Sequence, residues 1–200
     1  CALLVKIQET GQSVRLGDWL TEPIKRGVQP EYEENGDVIV INSQHVGKAH
    51  VEVEDNRRTT RKFADENERA VVRRYDVLLN STGYITIGRC QTLLSDVTAI
   101  VDGHVSIIRP KRGLDPVYLG LFLNSRPGQM QTERSWTGSS GQIELRSELI
   151  GNYTVWKPDE SYQQHIRELV EEAHAAREEA RRLLEDAKRR VEEIVLGEGS

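Results

Sequence analysis

Two cysteines in 200 residues, Cys1 and Cys90, exclude a disulfide-stapled scaffold and a four-cysteine zinc site. No apolar run approaches the roughly 20 residues a bilayer-spanning helix needs. The opening CALLVKIQETGQ is apolar for only about five residues and has neither basic flank nor cleavage site, so it does not read as a signal peptide. A reduced, cytoplasmic setting is the expectation. Residue 1 is not methionine, so the chain reads as a piece of a longer protein or a processed product.

Catalytic motifs are also missing. Gly83 and Gly88 have P-loop spacing, but Arg89 stands where Lys-Ser/Thr would follow. No G-x-G-x-x-G opens a helix, and Gly138-Ser139-Ser140-Gly141 is one residue short of a nucleophile elbow. The histidines at 45, 50, 104, 165 and 174 fall in no metal-ligand spacing, and His104 reads as a turn or strand residue. Acid pairs such as Glu33–Glu34 read as solvated loop charges. There is no nuclease-like acid-acid-lysine cluster and no Asn/Asp-Pro-Pro-aromatic tetrapeptide of an adenine methylase. The expectation is a non-enzyme, with no metal and no cofactor of its own.

What is present is unevenly distributed. The net charge is −5, and Asp159–Ser200 holds twelve acids and seven bases. That leaves twenty of each in the body, which is neutral and locally basic at Asn56–Lys62 and Arg73–Arg74. A neutral body with a basic lobe is compatible with weak non-specific binding to a polyanion.

The tail is the clearest element. Pro158, Asp159, Glu160 and Ser161 are helix-start signals, Gly197 is a stop, and no Gly or Pro lies between. Ile166, Leu169, Ala173, Ala176, Ala180, Leu183 and Ala187 recur at steps of three and four, the a/d seam of a coiled coil. Val191 and Ile194 extend it after a stutter. A long helix over 158–196, pairing with another helix, is expected to follow a body over 1–157.

The body reads as α+β, with a mixed or antiparallel sheet and short helices. Strands are predicted at Asp37–Asn42, Ala49–Glu54, Tyr75–Asn80, Tyr84–Gly88, Val97–Val101 and His104–Pro110, with Asp102–His104 as a tight hairpin turn. Helices are predicted at Asp115–Ser125, where Asp then Pro opens an apolar face, and at Gln142–Ile150. Around Gly83, Gly88, Gly138 and Gly141 cluster Asn80, Ser81, Thr82, Thr86, Thr137, Ser139, Ser140 and Gln142. Such groups contact phosphates and base edges. They would serve equally in turns capping strands and helices, and composition leaves both readings open.

The ordered set RYDVLLNSTGYITIGRC, VDGHVSIIRP and YLGLFLNSRPGQMQTERSWTGSSGQIELRSELIGNYTVWKP resembles the target recognition domain of type I restriction–modification specificity subunits. VRLGDWLTEPIKRGVQPEYEENGDVIVINSQHV is similar to that family's opening, and the tail to the long helix that follows each such domain. The likeness covers roughly residues 14–195. It implies a non-catalytic DNA-recognition subunit that reads half of a bipartite target in double-stranded DNA. It also implies methyltransferase partners that use S-adenosylmethionine, and restriction/translocase subunits. The family's usual chain carries two recognition domains and two antiparallel helices, and this sequence has one of each. It is therefore expected to pair as a homodimer through the helix or with a second recognition domain. Alternatives are the recognition region of a fused methylase–nuclease polypeptide, and a coiled-coil assembly module that never binds DNA. Segment 80–88 (NSTGYITIG) is read as a framework turn, with Thr82, Tyr84 or the following Arg89 contacting phosphate. Base reading is assigned to three loops. Gln44–Lys48 offers Gln44, His45 and Lys48; Asn56–Lys62 offers Arg57, Arg58, Arg61 and Lys62; Glu133–Ser140 offers Arg134, Thr137 and Ser139.

Overall fold

Every residue of the run Val77–Asn80 is buried, which marks a central strand covered on both faces rather than a half-exposed one. The structure is a computed structural model that describes residues 2–47, 49–54, 56–138 and 143–196. In chain order its elements begin with α1 (Ala2–Glu9), β1 (Ser13–Arg15), β2 (Lys25–Arg26), β3 (Val38–Ile41), β4 (Arg58–Thr59), α2 (Arg61–Glu66) and β5 (Val71–Val72). There follow β6 (Val77–Asn80), β7 (Cys90–Thr92), β8 (Ala99–Val101), β9 (Val105–Ile108) and α3 (Pro116–Asn124). The last are α4 (Arg126–Ser135), α5 (Ser147–Gly151), β10 (Thr154–Trp156) and α6 (Glu160–Leu196).

Two four-stranded sheets lie face to face. One, ordered β2-β9-β6-β7, is antiparallel; the other, β4-β3-β8-β5, contains the parallel pair β3–β8. Strand alternation divides their side chains. Val77 and Leu79 of β6 face α3 and the main core, while Leu78 joins Ile41, Val101, Val105 and Ile107 between the sheets. Val38, Val40 and Ile100 face outward onto Ala64 of α2. The layers therefore run helix, sheet, sheet, helix. β1 pairs with β10 and ties the beginning of the body to the segment before α6.

Both predicted helix starts carry their caps. The Asp115 carboxylate accepts from the backbone N–H of Val117 and Tyr118 at 2.8 and 3.0 Å. Asp159 accepts from the Tyr162 N–H at 2.8 Å, and these hydrogen bonds to Ser161 and Tyr162 hold its carboxyl below the usual range. α6 runs for 37 residues, about 55 Å at 1.5 Å per residue. Among the described residues, no helix is long and apolar enough to cross a membrane.

Six expectations are corrected. Residues 84–88 form no strand, because Gly83 and Gly88 adopt φ of +98° and +81° and fold the segment into a closed loop. Its return strand is β7. Asp102–His104 is a tight turn but not a hairpin, because β8 and β9 belong to different sheets. In the predicted strand at 49–54, only Val51 makes a bridge, to Val46. Asn56–Lys62 is no free loop, since β4 and the first turn of α2 occupy it. The helix predicted at 142–150 is shorter and later, at Ser147–Gly151; Gln142 lies outside the described residues. Tyr75, predicted as strand, instead turns with φ +72°.

Candidate nucleic-acid interface

The strand directions create two distinct ends. Ile41 pairs with Val101, Asn80 with Val105, and the Asp102 N–H reaches the Ile41 carbonyl. The segments following β3, β6 and β8 therefore converge at one end of the sheets. The opposite end, at Tyr75, Asp76 and Arg109, receives α6.

Asn80 organises the converging end. It is fully buried, and its Nδ2 donates to the carbonyls of Ser43 (2.7 Å) and Thr86 (3.2 Å). The Gly88 N–H reaches the Asn80 carbonyl at 2.8 Å, and the Thr86 and Ile87 N–H groups reach the Gly83 carbonyl at 3.1 and 2.8 Å. Gln129 of α4 holds the Gly88 carbonyl at 2.7 Å. The loop is thus braced from both sides, and at its tip Tyr84 and Ile85 stand 73% and 82% exposed.

The turn at 102–104 is equally fixed. The Ser81 N–H and hydroxyl both donate to the His104 carbonyl, and the His104 N–H donates to the Asp102 carboxylate at 2.9 Å. Arg26 donates to the Gly103 carbonyl and pairs with Glu144. Glu144 forms bridges to both Thr82 and Thr137. The Thr82 hydroxyl meets the Nδ1 of His104. Burial raises the carboxyl of Asp102, while the His104 N–H and the charges of His104 and Arg26 oppose that rise. In the neighbouring turn, His45 Nδ1 accepts from the Asn42 N–H at 3.1 Å, and Asn42 in turn accepts from the Gln44 N–H. Burial depresses the imidazole of His45 below its ordinary value, against the charge of Glu52.

This end brings together Gln44, His45, Thr82, Tyr84, Arg89 and Thr137, with Arg134 three residues before Thr137 in the last turn of α4. Lys48 and Ser139 lie outside the described residues. The basic segment Arg57–Lys62 is not part of it. Arg58 pairs opposite Ile39, toward the other end of β3, and Arg57 stacks 3.2 Å over the ring centroid of Tyr32. Arg61 faces Asp37 at 3.6 Å, and Lys62 faces Glu66 at 3.9 Å. Sequence reasoning missed Arg26, Ile85 and His104. The partners of Arg26 and His104 are 118 and 22 residues away, and no local pattern signals such pairs.

Charge separates this end from the rest. The segments 24–30, 42–50, 81–89 and 137–143 contain no Asp or Glu. Three acids approach it: Asp102 is buried, Glu144 is paired with Arg26, and exposed Glu52 bonds the His45 carbonyl through its N–H. In a chain of net charge −5, this is an acid-poor surface of amides, hydroxyls and imidazoles, with the guanidinium groups of Arg89 and Arg134 unpaired among the described residues.

The expected helix seam also sorts itself. Ile166 packs against the main core. Leu169, Ala173, Ala176, Ala180, Leu183, Ala187, Val191 and Ile194 are exposed.

No family model matches the sequence, and no curated protein matches it. Solved structures do. One is a chain from a study of complex assembly and conformational transition of the type I R-M system, with TM-score 0.56 and 16% identity over 92% of this chain and 44% of that one. The chain has the specificity-subunit fold. A second match is the S subunit of a type I restriction-modification system from M. genitalium, with TM-score 0.51 and 11% identity over 76% of this chain and 36% of that one. This chain thus spans less than half the length of either S-subunit-fold neighbour. The fold class, α+β with mixed and antiparallel sheets and a long terminal helix, is as the sequence led us to expect.

Proposed function

We propose that this chain is a sequence-specific DNA-recognition unit of a type I restriction–modification system, reading one half of a bipartite target. The observation that carries the reading is the convergence, at one end of the sheets, of the segments after β3, β6 and β8, with no Asp or Glu in 42–47 or 81–89. Phosphate contacts position such a domain and base-edge contacts give it specificity. Arg89 and the backbone amides of Tyr84 and Ile85 at the loop tip serve the first role, and Gln44 and Thr137 the second. The unit is non-catalytic. Methylation belongs to a partner methyltransferase carrying S-adenosylmethionine, and cleavage to restriction subunits.

In this reading α6 is the scaffold. Its exposed Ala-centred stripe pairs with a second such helix, either from another copy of this chain or from a second recognition domain. The test is binding of the purified chain to a pool of random duplexes, alone and with its methyltransferase, across a salt series. Binding that weakens steeply with salt is expected. No binding in either state would instead support a coiled-coil module that never meets DNA. Light scattering tests the pairing separately. A dimer that Ala180→Glu converts to monomer is expected, because an unpaired charge in a close-packed seam is costly to bury; an unchanged mass contradicts it.

A further inference from the structure

His104, like His45, is held at its N–H, at its carbonyl and at one ring nitrogen, but His45 is half-buried and His104 is exposed. Its backbone N–H is tied to Asp102, and its carbonyl takes two hydrogen bonds from Ser81. The adjacent Gly103 carbonyl is held by Arg26, and the Val105 N–H closes the turn onto the Asp102 carbonyl at 3.1 Å. The residue is nonetheless exposed, so this bracing serves a side chain that reaches solvent. On the ring, Nδ1 meets the Thr82 hydroxyl. With the hydroxyl donating to Nδ1, the ring carries its proton on Nε2; the reverse roles would place it on Nδ1. Nε2 has no partner among the described residues. Beside the ring runs the acid-free segment 81–89, whose Thr82 it meets.

We propose that His104 is a base-reading residue, presenting Nε2–H as a fixed donor to a purine acceptor, N7 or guanine O6, on the major-groove edge of duplex DNA. The proposal rests on the DNA-reading function above and assigns part of its specificity to a residue that lies in none of the three expected reading loops. What the ring offers is a single donor in a single direction, which suits the base-edge code rather than the backbone. Thr82 acts through His104 as a positioning residue, since its hydroxyl decides which nitrogen carries the proton.

The experiment is selection of target duplexes from a random pool by the full chain, repeated with His104→Ala, Thr82→Val and Thr82→Ser. The wild-type chain is expected to enrich a motif with a purine preference of about tenfold at one position, the scale of one base-pair mismatch. His104→Ala should reduce that preference to about twofold, with the loss confined to that position. Thr82→Val should weaken the same position, and Thr82→Ser, which keeps the hydroxyl, should restore it. A 7-deaza purine placed there should cost the wild-type chain affinity and leave His104→Ala indifferent. An unchanged motif in His104→Ala would overturn the proposal and return His104 to a turn residue. A loss uniform across all positions, with a shallower salt slope, would overturn it in favour of a phosphate contact. A wild-type chain that enriches no motif, either alone or with its methyltransferase, would overturn the DNA-reading function itself, and this inference with it.

Discussion

The two ends of the sheets use polar side chains in opposite ways. At the end that receives α6, they are consumed in pairing. Arg109 donates twice to Asp76 at 2.7 Å, once to Glu22 at 2.6 Å and once to the Val71 carbonyl. Arg167 reaches Asp115 and Glu171 and lies over the Tyr75 ring, while buried Gln163 serves the Asp115 N–H and the Pro158 carbonyl. At the loop end, inward polar groups such as Asn80, Ser81 and Asp102 are spent on backbone, while outward ones such as the Arg89 guanidinium and the Nε2 of His104 have no partner among the described residues. One end is built to be satisfied by the chain itself. The other is rigid in its backbone and unsatisfied at its surface, which is how a preorganised binding face differs from a structural joint.

The contrast can be broken most severely at the satisfied end. Asp76→Ala leaves a largely buried Arg109 short of its bidentate partner and should cost about 3 kcal/mol, read as a lower urea midpoint. The matched change at the other end, Ile85→Ser, should stay within about 0.5 kcal/mol. Equal effects would show that the ends are not so divided. Gly88→Ala comes next. It puts a Cβ 2.5 Å from Thr132 Cγ2 at φ +81°, and should cost about 2 kcal/mol in thermal unfolding. It should also weaken DNA binding, because the tip loses its brace on α4. Loss of stability with full binding would show that the loop's shape is irrelevant to the interface.

The smallest effect follows from His45. Its folded pKa lies below 6.5, so an unfolded chain takes up the proton first as pH falls. Its contribution is complete above about pH 6.5 and is lost as pH falls from there through the lowered folded value. Melting temperature should drop between pH 7 and 5.5, and drop less in His45→Gln. An identical drop in both would remove His45 from the account.

Much of the helix end was legible because its signals are local. Asp115 and Pro116 announce α3, and Asp159 with a run free of Gly and Pro announces α6. The loop end was harder. The alternation in Tyr84-Ile85-Thr86-Ile87 has the period of a strand, yet two glycines at positive φ fold it back on itself. Likewise, the runs either side of Asp102–His104 read as a hairpin, because nothing local tells which sheet a strand joins. α4 begins Arg-Pro-Gly and is strongly polar, so periodicity gave no sign of it. Gln44, Thr82 and Thr137 were nevertheless reached, through composition and family likeness rather than geometry. His104 and Arg26 needed the tertiary structure.

The central claim is a location, so the most direct test is amide hydrogen exchange with and without duplex DNA. The account predicts slowed exchange in residues 42–47, 81–89 and 102–104, with α6 beyond Arg181 unchanged by DNA. Protection confined to Arg57–Lys62 or to α6, with the loop end unaffected, would contradict it.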